Sequence, residues 1–403
     1  MKKLLKLGVA ALMGLSMVAC SGGSDGPATV TIWHTYTDAQ LEYLEKAVED
    51  FNASQDQYTV VAESQAYDGF ADKVYQAVMA GNGPDMIIHY ASEAAKYVAD
   101  DKVVDLEKVL SPDTIALMND VTKQSATSFE DGKLHILPIV SSGPVFFYNK
   151  AIYDELGLSA PATWAELQAN CEKIKEKYPD KFGFAFDSEV DGAQTLIMQT
   201  GNKMFDADGI YFNTPEVAEQ LKYYQDNIQK GLFTNSKIGN YFSEDFNSGS
   251  LVSYIGSIAG IPYLEAEFGL GEVPQGGSVE WVPAWNRGMI VFNYGDDARA
   301  KAAGAFIDYF ASPEVNAGWC VACNYPATFE ATKEVDTYKA FAEENISFQY
   351  LNAEHAGELP AVSAQAYSRD ALSTLMSQVA GGTDVNQALE DAVKYIEDEL
   401  AAE

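Results

Sequence analysis

From Thr29 onward, short β-branched runs alternate with amphipathic stretches, and this rhythm limits the chain to few architectures. Val30-Thr-Ile-Trp33 reads as a strand and Asp38 to Phe51 as an amphipathic helix. Tyr58-Thr-Val-Val61 is the next strand, Tyr67 to Ala80 the next helix, and Met86-Ile-Ile-His89 the third strand. This βαβαβ order predicts an α/β fold, a parallel sheet with helices on both faces. Ligands of open sheets of this kind sit beyond the carboxyl ends of the strands. The loops after Trp33, Glu63 and Ile88 are therefore where ligand contacts are expected. Later helix starts are marked by Thr163-Trp-Ala-Glu166, a capping box, and by Ser111-Pro112, Thr214-Pro215 and Ser312-Pro313. In each of those pairs a hydroxyl cap precedes proline at the first helical position.

The ends of the chain carry different information from its body. Lys2, Lys3 and Lys6 precede an apolar run from Leu7 to Ala19 that is too short to span a bilayer. The run stops at Val18-Ala19-Cys20, a lipobox-like site, followed by the flexible Ser21-Gly-Gly-Ser-Asp-Gly26. Residues 1–19 are thus expected to be a signal peptide, with Cys20 the lipidation site and residues 20–28 a tether. Of 403 residues about 384 then remain, more than one core usually serves, so two lobes are expected.

Charge and motifs exclude several activities. The chain has 26 basic and 59 acidic residues, a net charge of −33, which falls to −36 when the three leader lysines leave. Nucleic acid is therefore not an expected partner, since phosphates are met by Lys and Arg. No nucleophile elbow between a strand and a helix (Gly22-Gly-Ser-Asp-Gly26 lies in the tether), no His-Glu-x-x-His and no phosphate loop occurs. Cys171 lies on a helical stripe with Trp164, Leu167, Ile174 and Tyr178 and belongs to a core. Trp319-Cys320-Val-Ala-Cys323 has the spacing of a thiol–disulfide enzyme. The Ser312-Pro313 start places these cysteines near a helix end, where the helix dipole opposes a thiolate. A zinc site there would need two further ligands that are not sequence-local, so no metal or other cofactor is expected.

Several segments occur in a characteristic order: Thr31-Ile-Trp-His34, Gly81-Asn-Gly-Pro-Asp85, Ile136-Leu-Pro138, Ser141-Ser-Gly-Pro144 and Tyr148-Asn-Lys150. Gly157-Leu-Ser-Ala-Pro161, Phe205-Asp-Ala-Asp-Gly209, Phe212-Asn-Thr-Pro-Glu216, Phe306-Ile-Asp-Tyr-Phe310 and Asn324-Tyr-Pro326 follow. This series resembles the extracellular solute-binding proteins of ABC importers, above all their carbohydrate and glycerol-phosphate binders. The resemblance implies a two-lobe venus-flytrap fold with three interlobe crossings, near Ile139–Gly143, Ala284–Gly288 and Asn324–Ala327. It implies an N-lobe of residues 29–140 plus 288–323 and a C-lobe of 141–287 plus 324–403. It further implies a monomer, lipid-anchored outside the cell membrane or in a periplasm. Such a protein would deliver a sugar, polyol or glycerol phosphate to the permease subunits without chemistry.

The aromatics at the expected cleft edges are Trp33, Tyr67, Tyr90, Tyr254, Trp285 and Tyr325, apt platforms for sugar faces. His34 ends the first strand beside Trp33, and His89 to Ser92 follow the third. By the resemblance, Tyr67, Ser141, Ser142 and Ser257 stand where glycerol-phosphate binders keep ligand residues. Asn324 replaces a ligand tyrosine there, with Tyr325 adjacent, Ala91 stands in place of an acidic contact, and a phosphate-binding arginine is missing near Pro360. Arg287 and Arg369 could hold a phosphate instead, while Arg299 reads as solvated and Asp85 as a backbone-fixing residue. The alternatives are a polyamine receptor, which would need several cleft carboxylates with aromatic walls, and a ferric-iron receptor using Tyr223-Tyr224. The last alternative is a thiol enzyme using Cys320 and Cys323.

Overall fold

The computed structural model describes residues 28–237, 241–351 and 355–402. The expected signal peptide, Cys20 and nearly all of the tether lie outside the described residues. Two mixed sheets organise the rest. In the first, Tyr58–Ser64, Ala28–His34 and Met86–Tyr90 are neighbours and parallel. Arg287–Val291 then runs antiparallel between Met86–Tyr90 and Leu137–Val140. The second sheet runs Phe268–Gly271, Pro144–Asn149, Leu251–Ser257, Phe182–Phe186, with only the last pair parallel.

Each sheet has its own core, as burial patterns require. Helix Asp38–Ser54 buries Leu44, Ala47, Val48 and Phe51, a stripe with helical spacing. Phe51 meets Phe306 edge-on at 5.3 Å, packing this helix directly against Asp297–Phe310. In the second lobe, Trp164, Cys171, Phe184, Phe186 and Tyr224 share a core with Leu372 and Leu375 of the helix Ser363–Ala380. The caps form at Ser111, Thr163 and Thr214, whose hydroxyls accept backbone N–H bonds. At Ser312 the expected cap does not form, because its hydroxyl donates backwards to the Tyr309 carbonyl at 2.6 Å. The second helix begins at Phe70 rather than Tyr67, because Gly69 before it is left-handed at φ 71°.

Three stretches join the lobes. Ser141–Gly143 links Leu137–Val140 to Pro144–Asn149, and Ala284–Asn286 links the second lobe back to Arg287–Val291. These two run side by side: the Trp285 N–H donates to the Ser142 carbonyl at 2.8 Å and the Ser142 N–H to the Trp285 carbonyl at 3.2 Å. The Ser141 N–H donates to Pro326 O at 3.2 Å, bringing the third stretch alongside. Ala327, Phe329 and Tyr338, which follow the expected lobe boundary at 324, pack in the first core. The chain meets the second lobe at Phe348 and Leu351.

Two buried polar groups brace the first lobe. Asp85 accepts from the Thr31 N–H at 2.7 Å and pairs with Arg299 at 2.6 Å. Arg299 is therefore not the solvated residue expected, since the fold closes Asp85 against it. Asn316 donates to the Ile139 carbonyl at 2.8 Å and accepts from the Thr332 hydroxyl at 2.9 Å. Asn316→Ala should cost about 2–4 kcal/mol in denaturant unfolding, since it orphans both buried partners and leaves a void.

Candidate ligand-binding site

The carboxyl ends of both sheets face one cleft. Tyr90, Ala91 and Ser92 come from the end of Met86–Tyr90 and the helix start that follows it. Ser188, Val190 and Asp191 follow the strand Phe182–Phe186, and Ser257 ends Leu251–Ser257. The crossings add Trp285 and Tyr325, and the helix Ser363–Ala380 adds Gln365, Ser368 and Arg369. Together they enclose about 420 Å³. A second hollow of about 370 Å³ shares Ser188, Asp191, Ser257, Trp285 and Arg369 and reaches on to Asp187, Lys237, Tyr241 and Ser373. Trp285 and Asp191 thus stand where the two spaces join.

Short-range bonds fix this wall before any ligand arrives. Ser188 caps the helix Glu189–Met198, its hydroxyl accepting from the Asp191 N–H at 3.2 Å. Asp191 accepts from the Trp285 indole N–H at 3.3 Å, which sets the plane of the ring. Burial pushes the Asp191 carboxyl up, opposed by Ser188, Trp285 and the charge of Arg369. Asp187 is likewise pushed up by burial, against the Phe242 N–H at 2.8 Å and the charge of Lys237. Gln365 Oε1 is buried with no protein partner, an acceptor free for a ligand hydroxyl.

Of the expected residues, Tyr90, Ser92, Ser257, Trp285, Tyr325 and Arg369 line this cleft. Arg287 stands behind Tyr90, its register partner, donating Nε–H to the phenol oxygen at 3.0 Å. Its guanidinium lies 5.0 Å from the Tyr90 ring centre, so it braces the tyrosine. Ser141 and Ser142 line a different cavity, on the other side of the crossings. Asn324 is the left-handed C-cap of the helix Pro313–Cys323.

The remaining residues lie away from the cavity. Trp33 donates its indole N–H to Glu63 at 2.8 Å, under the Lys73 ammonium. His34 is buried and accepts from the Tyr36 N–H at 3.3 Å. Tyr67 is 78% exposed on the loop before Phe70. His89 stacks on Phe70, and burial lowers its pKa to about 4, keeping it neutral. Tyr254 is 2% exposed and stacked on Phe147 at 4.8 Å, in a core behind its strand rather than at the cleft edge.

Sequence reasoning missed Asp187, Ser188, Asp191, Gln365 and Glu358. The signal for the first three was present: a capping serine and acidic residues directly after the Phe-Gly-Phe-Ala-Phe strand. The carboxyl-end rule applies to the second sheet as it does to the first.

Glu358 lies between the cleft and the cavity behind the crossings. It accepts from the Asn286 N–H at 3.1 Å and from the Ser125 hydroxyl. Burial raises its pKa against those bonds. A carboxyl raised in the folded state favours folding when protonated, and that contribution is lost as pH rises through the folded value. Unfolding free energies from pH 4 to 8 should therefore show the native protein losing stability relative to Glu358→Gln as pH rises. Parallel pH profiles would contradict this.

Other chemistry does not assemble. Cys320 and Cys323 end the helix Pro313–Cys323, both buried, and burial pushes both thiols up, the reverse of what thiol exchange requires. Tyr224 is buried and the Tyr223 phenol donates to the Trp164 carbonyl at 2.7 Å, so no iron-binding dyad is presented. Among the described residues no cluster of three or more His, Cys, Asp or Glu is arranged for a metal ion. No helix among them is long and apolar enough to cross a membrane.

A family model described as bacterial extracellular solute-binding protein matches residues 46–345. The sn-glycerol-3-phosphate-binding periplasmic protein UgpB of Escherichia coli K12 is 23% identical, over 86% of this chain and 84% of its own. Among solved structures, the cyclic α-maltosyl-1,6-maltose binding protein of Arthrobacter globiformis superposes with a TM-score of 0.82. The match is 24% identical and covers 94% of this chain and all of that one, 100%. The GacH receptor of Streptomyces glaucescens, solved unliganded and with acarbose, gives 0.75 at 18% identity, covering 92% and 99%. These likenesses show a two-lobe binding-protein fold.

Proposed function

This chain belongs to the bacterial extracellular solute-binding proteins, which bind solutes and are not enzymes, and on that premise we propose that its ligand is a carbohydrate. The observation that carries the reading is Trp285. Its indole is held edge-on by Asp191 at the junction of two hollows, with Tyr90 and Tyr325 lining the same space. Sugars offer an apolar face and a hydroxyl rim, and the cleft offers aromatic faces beside Ser92, Ser257, Gln365 and Asp191. The two hollows together exceed the room one sugar ring needs, which suits a disaccharide or longer. Closure of the lobes would complete the contacts, since the first lobe brings Tyr90, Ala91 and Ser92 to the larger wall supplied by the second.

A glycerol phosphate is the second reading, an anionic one, supported by the UgpB likeness and by Arg369 in the cleft. The carboxylates of Asp187, Glu189, Asp191 and Glu358 around Arg369 oppose a phosphate there. They favour instead, as a minor reading, a cationic ligand such as a polyamine. Against it, Asp187, Glu189, Asp191 and Glu358 each already accept a protein hydrogen bond. We further propose that Cys20 is lipidated, that the protein acts as a monomer outside the membrane, and that it delivers its ligand to an ABC permease. Isothermal titration with maltotriose, sn-glycerol-3-phosphate and spermidine separates the three. Heat with maltotriose alone supports the proposal, whereas binding of glycerol phosphate or spermidine in its place overturns it.

A further inference from the structure

A larger cavity, about 630 Å³, lies on the opposite side of the interlobe crossings from the cleft. That is within the range of about 300–1,000 Å³ usual for small-molecule sites. Its walls come from three sources. Asn119, Thr122, Ser125 and Ser128 belong to the first lobe, Ser141, Ser142 and Asn286 to the crossings, and Phe348, Leu351 and Glu358 to segments that meet the second lobe. The lining mixes these hydroxyls and amides with a somewhat larger apolar share, to which Pro326, Ala327, Phe348 and Leu351 contribute.

One atom in it lacks a partner. Ser142 is only 6% exposed, and its hydroxyl has no hydrogen-bond partner. A buried hydroxyl left unpaired costs about 1–3 kcal/mol, so a water or a ligand hydroxyl bonded to this atom would be stabilising. The backbone of Ser142 is fully used, its N–H and carbonyl both paired with Trp285, so the side chain alone is available. The two ionisable groups here already have partners: Lys333 pairs with Glu330 at 2.7 Å, and both Glu358 oxygens accept hydrogen bonds from neutral protein donors. Neither side chain therefore needs a charged ligand to satisfy it.

We propose that this cavity is a second ligand site, separate from the cleft, for a small neutral polyhydroxy compound. Ser142 Oγ would exchange hydrogen bonds with a ligand hydroxyl, Ser141 and Asn119 would flank it, and Phe348 and Leu351 would cover its carbon face. Because both lobes and the crossings line the cavity, its occupant would touch every part that moves when the cleft closes.

The test is saturation-transfer NMR with glycerol and with D-glucose at millimolar concentration. It uses the native protein, Trp285→Ala, Ser141→Leu and Ser142→Leu. The signal of at least one probe should survive in Trp285→Ala and fall about fivefold or more in the two serine variants. Ser141 is less enclosed than Ser142, so Ser141→Leu carries the test if Ser142→Leu does not fold. No signal from either probe with the native protein overturns the proposal. So does a signal lost in Trp285→Ala but intact in Ser141→Leu, which would place the binding in the cleft.

Discussion

Replacing Trp285 with alanine should weaken sugar binding by about 100-fold while leaving the melting temperature of the unliganded protein within a few degrees. The indole is half-buried, its one polar atom is pinned by Asp191, and its faces border both hollows. Truncating an aromatic anchor of this kind typically costs about 2–4 kcal/mol of binding, and each 1.4 kcal/mol is about tenfold in Kd. Asp191→Asn separates the two parts of the argument. It keeps an acceptor for the indole, so it should cost less than tenfold for a neutral sugar and should largely abolish binding of a cationic ligand. Titration calorimetry on both variants checks this. Equal losses in the two would mean that the carboxylate charge, and not the stacking face, holds the ligand.

Trp319→Ala should have the largest effect on folding, about 3–5 kcal/mol, as expected for deleting a fully buried indole. Trp319 is wholly buried in the first core. It meets Tyr36 edge-on at 5.0 Å and Phe310 at 5.3 Å, and lies 6.3 Å from Tyr43, joining the helices Asp38–Ser54, Asp297–Phe310 and Pro313–Cys323. Its indole nitrogen has no partner, so the loss is one of packing, with no hydrogen bond broken. Chemical unfolding followed by circular dichroism would read the loss as a lower midpoint. Because Tyr36 packs between Trp319 and the Arg287–Tyr90 brace, the variant should also soften that wall of the cleft. A change below about 1 kcal/mol would mean that the site collapses around the missing ring.

The first lobe was legible because its strands and helices alternate with clear periods. The segments Val30–Trp33, Asp38–Phe51 and Met86–His89 all appear as read, extended by a few residues. Arg287–Val291 was not legible as an antiparallel strand inserted between two strands of that sheet, because pairing across about two hundred residues leaves no local signal. Ser257, Trp285 and Tyr325 could be placed because they sit at strand ends or crossings. Tyr254 could not, because residues on one strand alternate in direction, and Tyr254 points into a core while Ser257 reaches the cleft. Ser141 and Ser142 lie at the expected crossing, yet which side of a crossing a side chain faces is set by its neighbours Trp285 and Pro326. Gln365 and Glu358 are brought in by the chain's last third, whose approach to the cleft depends on how the helix Ser363–Ala380 packs on the second core.

The account rests on two lobes closing over a sugar that leaves chemically unchanged. Small-angle X-ray scattering of the unliganded protein, repeated with saturating maltotriose, tests it most directly. A smaller radius of gyration in the presence of ligand, reversed when the sugar is dialysed away intact, is the predicted result. Identical scattering curves under conditions where calorimetry shows the sugar bound would contradict it.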